Sequence, residues 1–370
     1  MLPPEAVTPP NQEQAGALPQ PQEQMALEHE TSARARRFRL IRKIEKLTGS
    51  TLLVFITGDR TNLETKIAMD SYALIFKHLS GMNLKGKLAV FLYTPGGDTL
   101  AAYGIANLIR QFTNEYGVVI PYKALSAGTL ITLGANNIIM TKGGLLSPID
   151  PSIQAPLGPR VPIPGAPGIE AVVPVSVEDV SGFYRLAKEE WKLDDEASLG
   201  DAFKTLSEKV HPLALGAVHR AREQIAFLAR NLLSYHIKGE ATVNKIVNTL
   251  TRGRFSHGYL IGKREAKDVL KLPIRDPGGE LEKKINELFA KYENLLELNT
   301  PYNPEAVLGS QNMVTITFNR AIVESSFTTH VFRTVRTITR VSSMAPQTGL
   351  PQQGYLENNQ LEAWVEDNQI

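Results

Sequence analysis

Residues 89–154 constrain the fold of this chain more than any other stretch. The apolar run Ala-Val-Phe-Leu-Tyr leads into Pro95-Gly96-Gly97, after which Leu100, Tyr103, Ile105, Leu108, Ile109 and Phe112 recur at helical spacing. The plan then repeats, with Val118-Val119-Ile120 as a strand, a small-residue turn at 125–129 and an apolar helix at 130–133. Strand, turn and helix repeated in this way is the alternation of a parallel α/β sheet.

Each turn carries chemistry that a bland reading also accommodates. Two glycines after a strand leave backbone N–H groups bare at a helix entrance, where fixed donors and the helix dipole favour a developing negative charge. An ordinary strand-to-helix turn uses the same residues. Ser126, flanked by Ala127 and Gly128, stands where the second helix begins, and serine there is most often an N-cap. Adjacent parallel strands, however, deliver both turns to one sheet edge. Gly96, Gly97 and Ala127 then form a candidate oxyanion cradle beside a candidate nucleophile, Ser126, which is what acyl transfer needs.

The runs TPGGDTLAAYGIANLIRQF, IPYKALSAGTLITLGANNIIM and SPIDPSI, in that order, resemble the serine dehydrogenase proteinase family. That family belongs to the Clp-protease/crotonase superfamily and is related to signal peptide peptidase A. The resemblance continues in VHPLALGAVHRAREQIAFLARNLLSYH and FSHGYLIGKREAKDVLKLPI, so it covers roughly residues 39–274. It implies a Clp/crotonase-like parallel-sheet core, a serine endopeptidase acting on peptides or unfolded protein segments, and ring-like homo-oligomers.

Composition limits the remaining classes. The 370 residues, 42% hydrophobic and 21% charged, suffice for one large domain with an appendage. A net charge of +2 offers no domain-wide basic excess for nucleic acid, and the absence of cysteine excludes disulfides, thiol catalysis and cysteine metal sites. No cluster has metal-ligand spacing, and the glycine pair lacks the partners of a nucleotide site, so neither metal nor cofactor is expected.

Residues 1–32 are rich in Pro, Gln and Glu and read as a disordered tail without a secretory signal. No later run is long and apolar enough to span a bilayer, so a soluble, cytoplasmic protein is expected. A basic amphipathic helix at 33–47 carries Arg34, Arg36, Arg37, Arg39, Arg42, Lys43 and Lys46. Peripheral membrane contact through Arg34 to Lys46 is one reading, and a solvated face over a docked apolar stripe the other. A strand at 51–57, a helix at 63–79, a proline-punctuated segment at 156–174 and helices at 177–191, 197–210 and 212–233 follow.

The proton acceptor is less legible. The Clp proteolytic subunit places a histidine where this chain has Ile149-Asp150-Pro151, whereas signal peptide peptidase A relatives use a lysine at the start of a later helix. The matching region here holds Lys209 and His211, just before Pro212 opens a helix. His211 is the first choice of base and Lys209 the alternative. Asp150 either orients the base or caps a turn, and His257 reads as a structural contact with a catalytic alternative. His78 lies ahead of the core stretch and His330 beyond it, so neither is a candidate.

The expected domains are a protease domain at 33–274, a helix plus β-hairpin extension at 275–341 and a disordered tail at 342–370. Two rivals remain: a crotonase-like acyl-CoA enzyme using the same amides, and a non-catalytic assembly or recruitment module of the same fold.

Overall fold

The computed structural model describes residues 32–84, 86–149, 152–153, 157–163, 168–173, 175–252, 258–344 and 351–370. Asp150 and His257 lie outside the described residues. The chain opens with α1 (Ala33–Thr48), β1 (Thr51–Thr57), α2 (Asp70–Gly81), β2 (Lys87–Tyr93), α3 (Thr99–Phe112) and β3 (Glu115–Ile120). Next come β4 (Lys123–Ala124), α4 (Ala127–Leu133), β5 (Asn137–Met140) and β6 (Leu145–Leu146). The short strand β7 (Ser152–Ile153) precedes the proline-punctuated segment, β8 (Arg160–Pro162) and β9 (Glu170–Val172) lie in it, and β10 (Val175–Ser176) follows it. Four helices follow: α5 (Val177–Arg185), continued by one π turn to Glu190, then α6 (Glu196–Lys209), α7 (Pro212–Ser234) and α8 (Glu240–Arg252). The last portion holds β11 (Ile261–Gly262), α9 (Lys263–Asp268), β12 (Ile274–Arg275), α10 (Gly278–Leu296), α11 (Pro304–Leu308), β13 (Met313–Glu324), β14 (Thr329–Met344) and β15 (Pro351–Glu366).

Eight strands form a mixed sheet in the order β12-β5-β3-β2-β1-β13-β14-β15. Neighbours from β12 to β1 are parallel, and from β1 to β15 antiparallel. The alternation of a strand is visible in β1, whose Leu53 and Phe55 join the core beneath α2, α3, α4 and α7, while Leu52, Val54 and Ile56 join the core beneath α1 and α10. Both faces are therefore covered, as a parallel sheet requires. The apolar stripe of α1, with Ile41 and Ile44 fully buried, is docked, and Arg36, Arg39, Arg42, Lys43 and Lys46 face outward, whereas Arg37 turns inward.

Three expectations are corrected. The helix expected over 63–79 begins only at Asp70, because Ile67 is extended and bridges Gly97. The 342–370 tail read as disordered contains β15, which pairs with β14 from His330 to Met344 and forms the edge of the sheet. The Gln, Asn and Glu of this strand suit an edge that is wetted on its outer side. Finally, His78 and His330 are not outside the core but meet inside it, 3.0 Å apart.

A buried ion-pair network ties α1 to the antiparallel side. Arg37 gives two hydrogen bonds to Glu324, at 2.9 and 2.7 Å, and the carboxylate also accepts from Tyr292 at 2.5 Å and Thr329 at 2.8 Å. Fully hydrogen-bonded, the buried charges are compensated rather than orphaned.

Candidate active site

The two turns meet at the carboxyl ends of β2 and β4. Thr94 and Ala124 form a parallel bridge, with Thr94 N–H donating to Lys123 O at 3.0 Å and Leu125 N–H donating to Thr94 O at 3.1 Å. The bridge sets Gly96 against Ser126. A Cβ on Gly96 would lie 2.9 Å from the Cβ of Ser126 and 3.5 Å from its hydroxyl, so only glycine fits. Gly97, at φ +147°, lies over the backbone of Ile67, whose carbonyl a Cβ would meet at 2.2 Å. Ile67 in turn grips the turn from both sides, its N–H donating to Gly96 O and its carbonyl accepting from Asp98 N–H, each at 2.8 Å.

Ser126 has φ 50° and ψ −111°, a conformation that residues with a side chain rarely adopt. Strain of this kind costs on the order of 1–3 kcal/mol and is kept where the surroundings dictate it, most often at functional sites. The residue starts α4, yet its side chain makes no capping bond. The N-cap reading of Ser126 therefore does not describe the side chain, which is half-buried and, among the described residues, has no hydrogen-bond partner. The N–H groups of Gly97 and Ala127 likewise have no acceptor among the described residues. One contribution expected of the turn is offset: Asp98 caps α3, accepting from Leu100 at 2.7 Å and Ala101 at 3.2 Å, so its charge opposes the helix dipole beside Gly97.

Hydroxyls hidden from sequence reasoning build the frame. Thr94, fully buried, accepts from Gly96 N–H at 3.0 Å and shares a 2.6 Å hydrogen bond with Thr57. Ser147 accepts from Ser126 N–H at 2.7 Å. Their only sequence signal is a small hydroxyl residue next to a turn or strand end.

The expected bases are placed differently. His211 is exposed and caps α7, its Nδ1 accepting from Leu213 N–H at 3.2 Å, and Lys209 ends α6, also exposed. Asn231 donates to Tyr103 and Tyr235 to Asn107, at 3.4 and 2.9 Å, so α7 runs alongside α3 with a constant offset. The start of α3, at the site, is then level with about residue 227, and α7 projects past the sheet edge by roughly 22 Å at 1.5 Å per residue. Within one chain the structure brings Ser126, Gly96, Gly97 and Ala127 together, and does not bring His211 or Lys209 to them.

This is a ClpP-like α/β architecture with a serine and a glycine turn at one sheet edge, and residues 24–162 match the family described as ClpP-like SDH-type serine proteinase. The matched segment contains both turns, so the family resemblance is borne out over the residues that carry the site. An uncharacterized protein of Methanocaldococcus jannaschii, MJ0137, is 31% identical over 182 residues, 49% of this chain and 51% of that protein. A second uncharacterized protein of the same organism, MJ1495, is 26% identical over 242 residues, 63% of this chain and 70% of that protein. The chain thus spans about half the length of the first of these relatives. Among solved structures, a mutant of the 1510-N membrane-bound stomatin-specific protease is similar at 16% identity and a TM-score of 0.30, over 65% of this chain and 85% of that one. A likeness that slight carries no argument. Among the described residues no helix is long and apolar enough to cross a membrane.

Proposed function

We propose that this chain is a serine endopeptidase acting on peptides or unfolded protein segments, with Ser126 as its nucleophile. The observation that carries the reading is the strained, uncapped Ser126 whose hydroxyl sits against a glycine turn; the family matched by residues 24–162, one of serine proteinases, supports it. Ser126 Oγ attacks the scissile carbonyl carbon, and the Gly97 and Ala127 amides hold the resulting oxyanion. The proton passes to His211 or Lys209 and from there to the leaving amine. Because His211 caps the projecting end of α7 and Lys209 lies just before it, they reach Ser126 from a neighbouring copy in a homo-oligomer.

Labelling of the purified chain with a fluorophosphonate, followed by peptide mapping, tests the nucleophile. Modification is expected at Ser126 and absent in Ser126→Ala, which also loses about three to six orders of magnitude in hydrolysis of labelled casein. Casein cleavage that survives Ser126→Ala would sink the assignment. A folded wild-type chain that neither labels nor cleaves favours the non-catalytic recruitment module.

A further inference from the structure

We infer that Ser147 is a positioning residue for the nucleophile: its buried hydroxyl holds the Ser126 peptide in the left-handed turn and, by occupying the Ser126 N–H, leaves the Gly97 and Ala127 amides for the oxyanion. The inference rests on the reading of Ser126 as the nucleophile.

Ser147 follows β6 and is 3% exposed. Its hydroxyl and its N–H are both committed, while its carbonyl shares the one proton of the Thr129 hydroxyl with Ala124 O, which lies 3.0 Å from that hydroxyl. Its hydroxyl has one proton, and this goes to Pro148 O at 3.0 Å, because a carbonyl can only accept. The lone pairs of the same oxygen receive Ser126 N–H at 2.7 Å, because an amide can only donate. The backbone is pinned through one side chain, Thr129, which accepts from Ser147 N–H at 3.1 Å and lies 2.9 Å from Ser147 O. Thr129 is on α4, three residues beyond Ser126, and is fully buried. Thus the strand that supplies Ser147 is locked to the helix that Ser126 begins, and the hydroxyl cannot turn away from the Ser126 amide without orphaning a buried donor or acceptor.

This arrangement decides two properties of the site. It fixes the peptide plane preceding the Ser126 side chain, and with it the direction in which Oγ leaves the turn. It also withdraws one amide. With Ser126 N–H occupied, the amides able to face a tetrahedral intermediate are those of the following residue, Ala127, and of Gly97 across the turn. If Ser147 loses its acceptor, the half-buried Ser126 N–H is left without that partner, the strained turn relaxes, and Oγ and the two amides lose their common focus. Displacement of reacting groups by about 1 Å costs on the order of 100-fold in rate.

The test uses the full chain with Ser147→Ala and Ser147→Cys, the latter preserving shape while replacing oxygen by a poor acceptor. Because the natural chain has no cysteine, the introduced thiol reports its own burial: it resists iodoacetamide in the folded protein and reacts in denaturant. Fluorophosphonate labelling of Ser126 is expected to slow about 10- to 100-fold in both variants. With labelled casein, kcat is expected to fall by a similar factor while KM stays within about threefold and the pH profile keeps its shape. Folded variants that label at the wild-type rate would overturn the proposal, as would a loss in which KM rises in step with a lowered Tm. Two variants that do not fold would make Ser147 a stability residue and also overturn it. A wild-type chain unlabelled at Ser126 removes the nucleophile itself, and the two failures are therefore distinguishable.

Discussion

Gly97 shows how little freedom the site leaves to single residues. Its φ of +147° is available to glycine alone, and a methyl group there would lie 2.2 Å from Ile67 O and 2.5 Å from Ile67 N, both backbone atoms that cannot swing aside. Gly97→Ala is therefore expected to destabilise the chain by about 2–4 kcal/mol, measured as a lower midpoint in urea, and to abolish fluorophosphonate labelling by moving the amide. An unchanged midpoint would contradict the close approach of the two backbones. At this scale the sequence discloses the residues whose conformation is unusual, because glycine pairs and small-residue turns are written locally. It conceals Ser147 and Thr94, because a serine that acts on an amide 21 positions earlier looks like any other serine. The position of the proposed bases is concealed for a related reason: a helix start is visible in the sequence, but its distance from the sheet edge is set by where α7 lies along α3.

Elements are joined across the sheet by buried polar contacts, and one of them makes stability depend on pH. His78 on α2 donates or accepts at 3.0 Å with His330 on β14, and its other nitrogen is 2.7 Å from Ser325. Lys77 and Glu366, the charged groups that face the pair from α2 and β15, contact His330 at 3.4 and 3.6 Å. Burial, then the neighbouring His330 and Lys77, push His78 down from 6.5 to about 3, and burial lowers His330 in the same direction. A histidine whose folded pKa lies below its unfolded value contributes stability that is complete above pH 6.5 and is lost as pH falls toward 3. Glu366, held at about 2 by its bonds to Lys77 and Thr328, acts in the same sense at lower pH. For His78 the loss amounts to about 3 kcal/mol by pH 4. Measured between pH 7 and 4, the Tm of wild type is expected to fall more steeply than that of His78→Gln; parallel curves would exclude His78 as the titrating group. Long periodic elements such as α1, α3, α7 and β13 could be read from their own residues. This contact and β15 could not, since each depends on a partner more than a hundred positions away or on a hairpin whose second strand is polar.

At the scale of the whole molecule, the sheet and the helical projection divide the labour. The sheet fixes Ser126 and its glycine turn, while α7 leaves the edge with His211 at its cap and Lys209 just before it, and among the described residues neither is hydrogen-bonded to the serine. Apolar residues remain exposed on α7 and on the helices that precede it, among them Tyr184, Trp191, Phe203 and Leu213, which suits a surface that a second copy covers. If each site takes its serine from one copy and its base from another, two inactive variants must repair one another. Ser126→Ala supplies the base and lacks the nucleophile; the double variant Lys209→Ala with His211→Ala supplies the nucleophile and lacks both candidate bases. Dissociated, mixed in equal amounts and reassembled, they are expected to regain roughly a quarter of the wild-type casein hydrolysis for a twofold-symmetric dimer, since half the dimers are mixed and each mixed dimer holds one complete site. Sites assembled within one chain would regain nothing, because every copy in the mixture is defective, so the recovered activity measures the sharing directly.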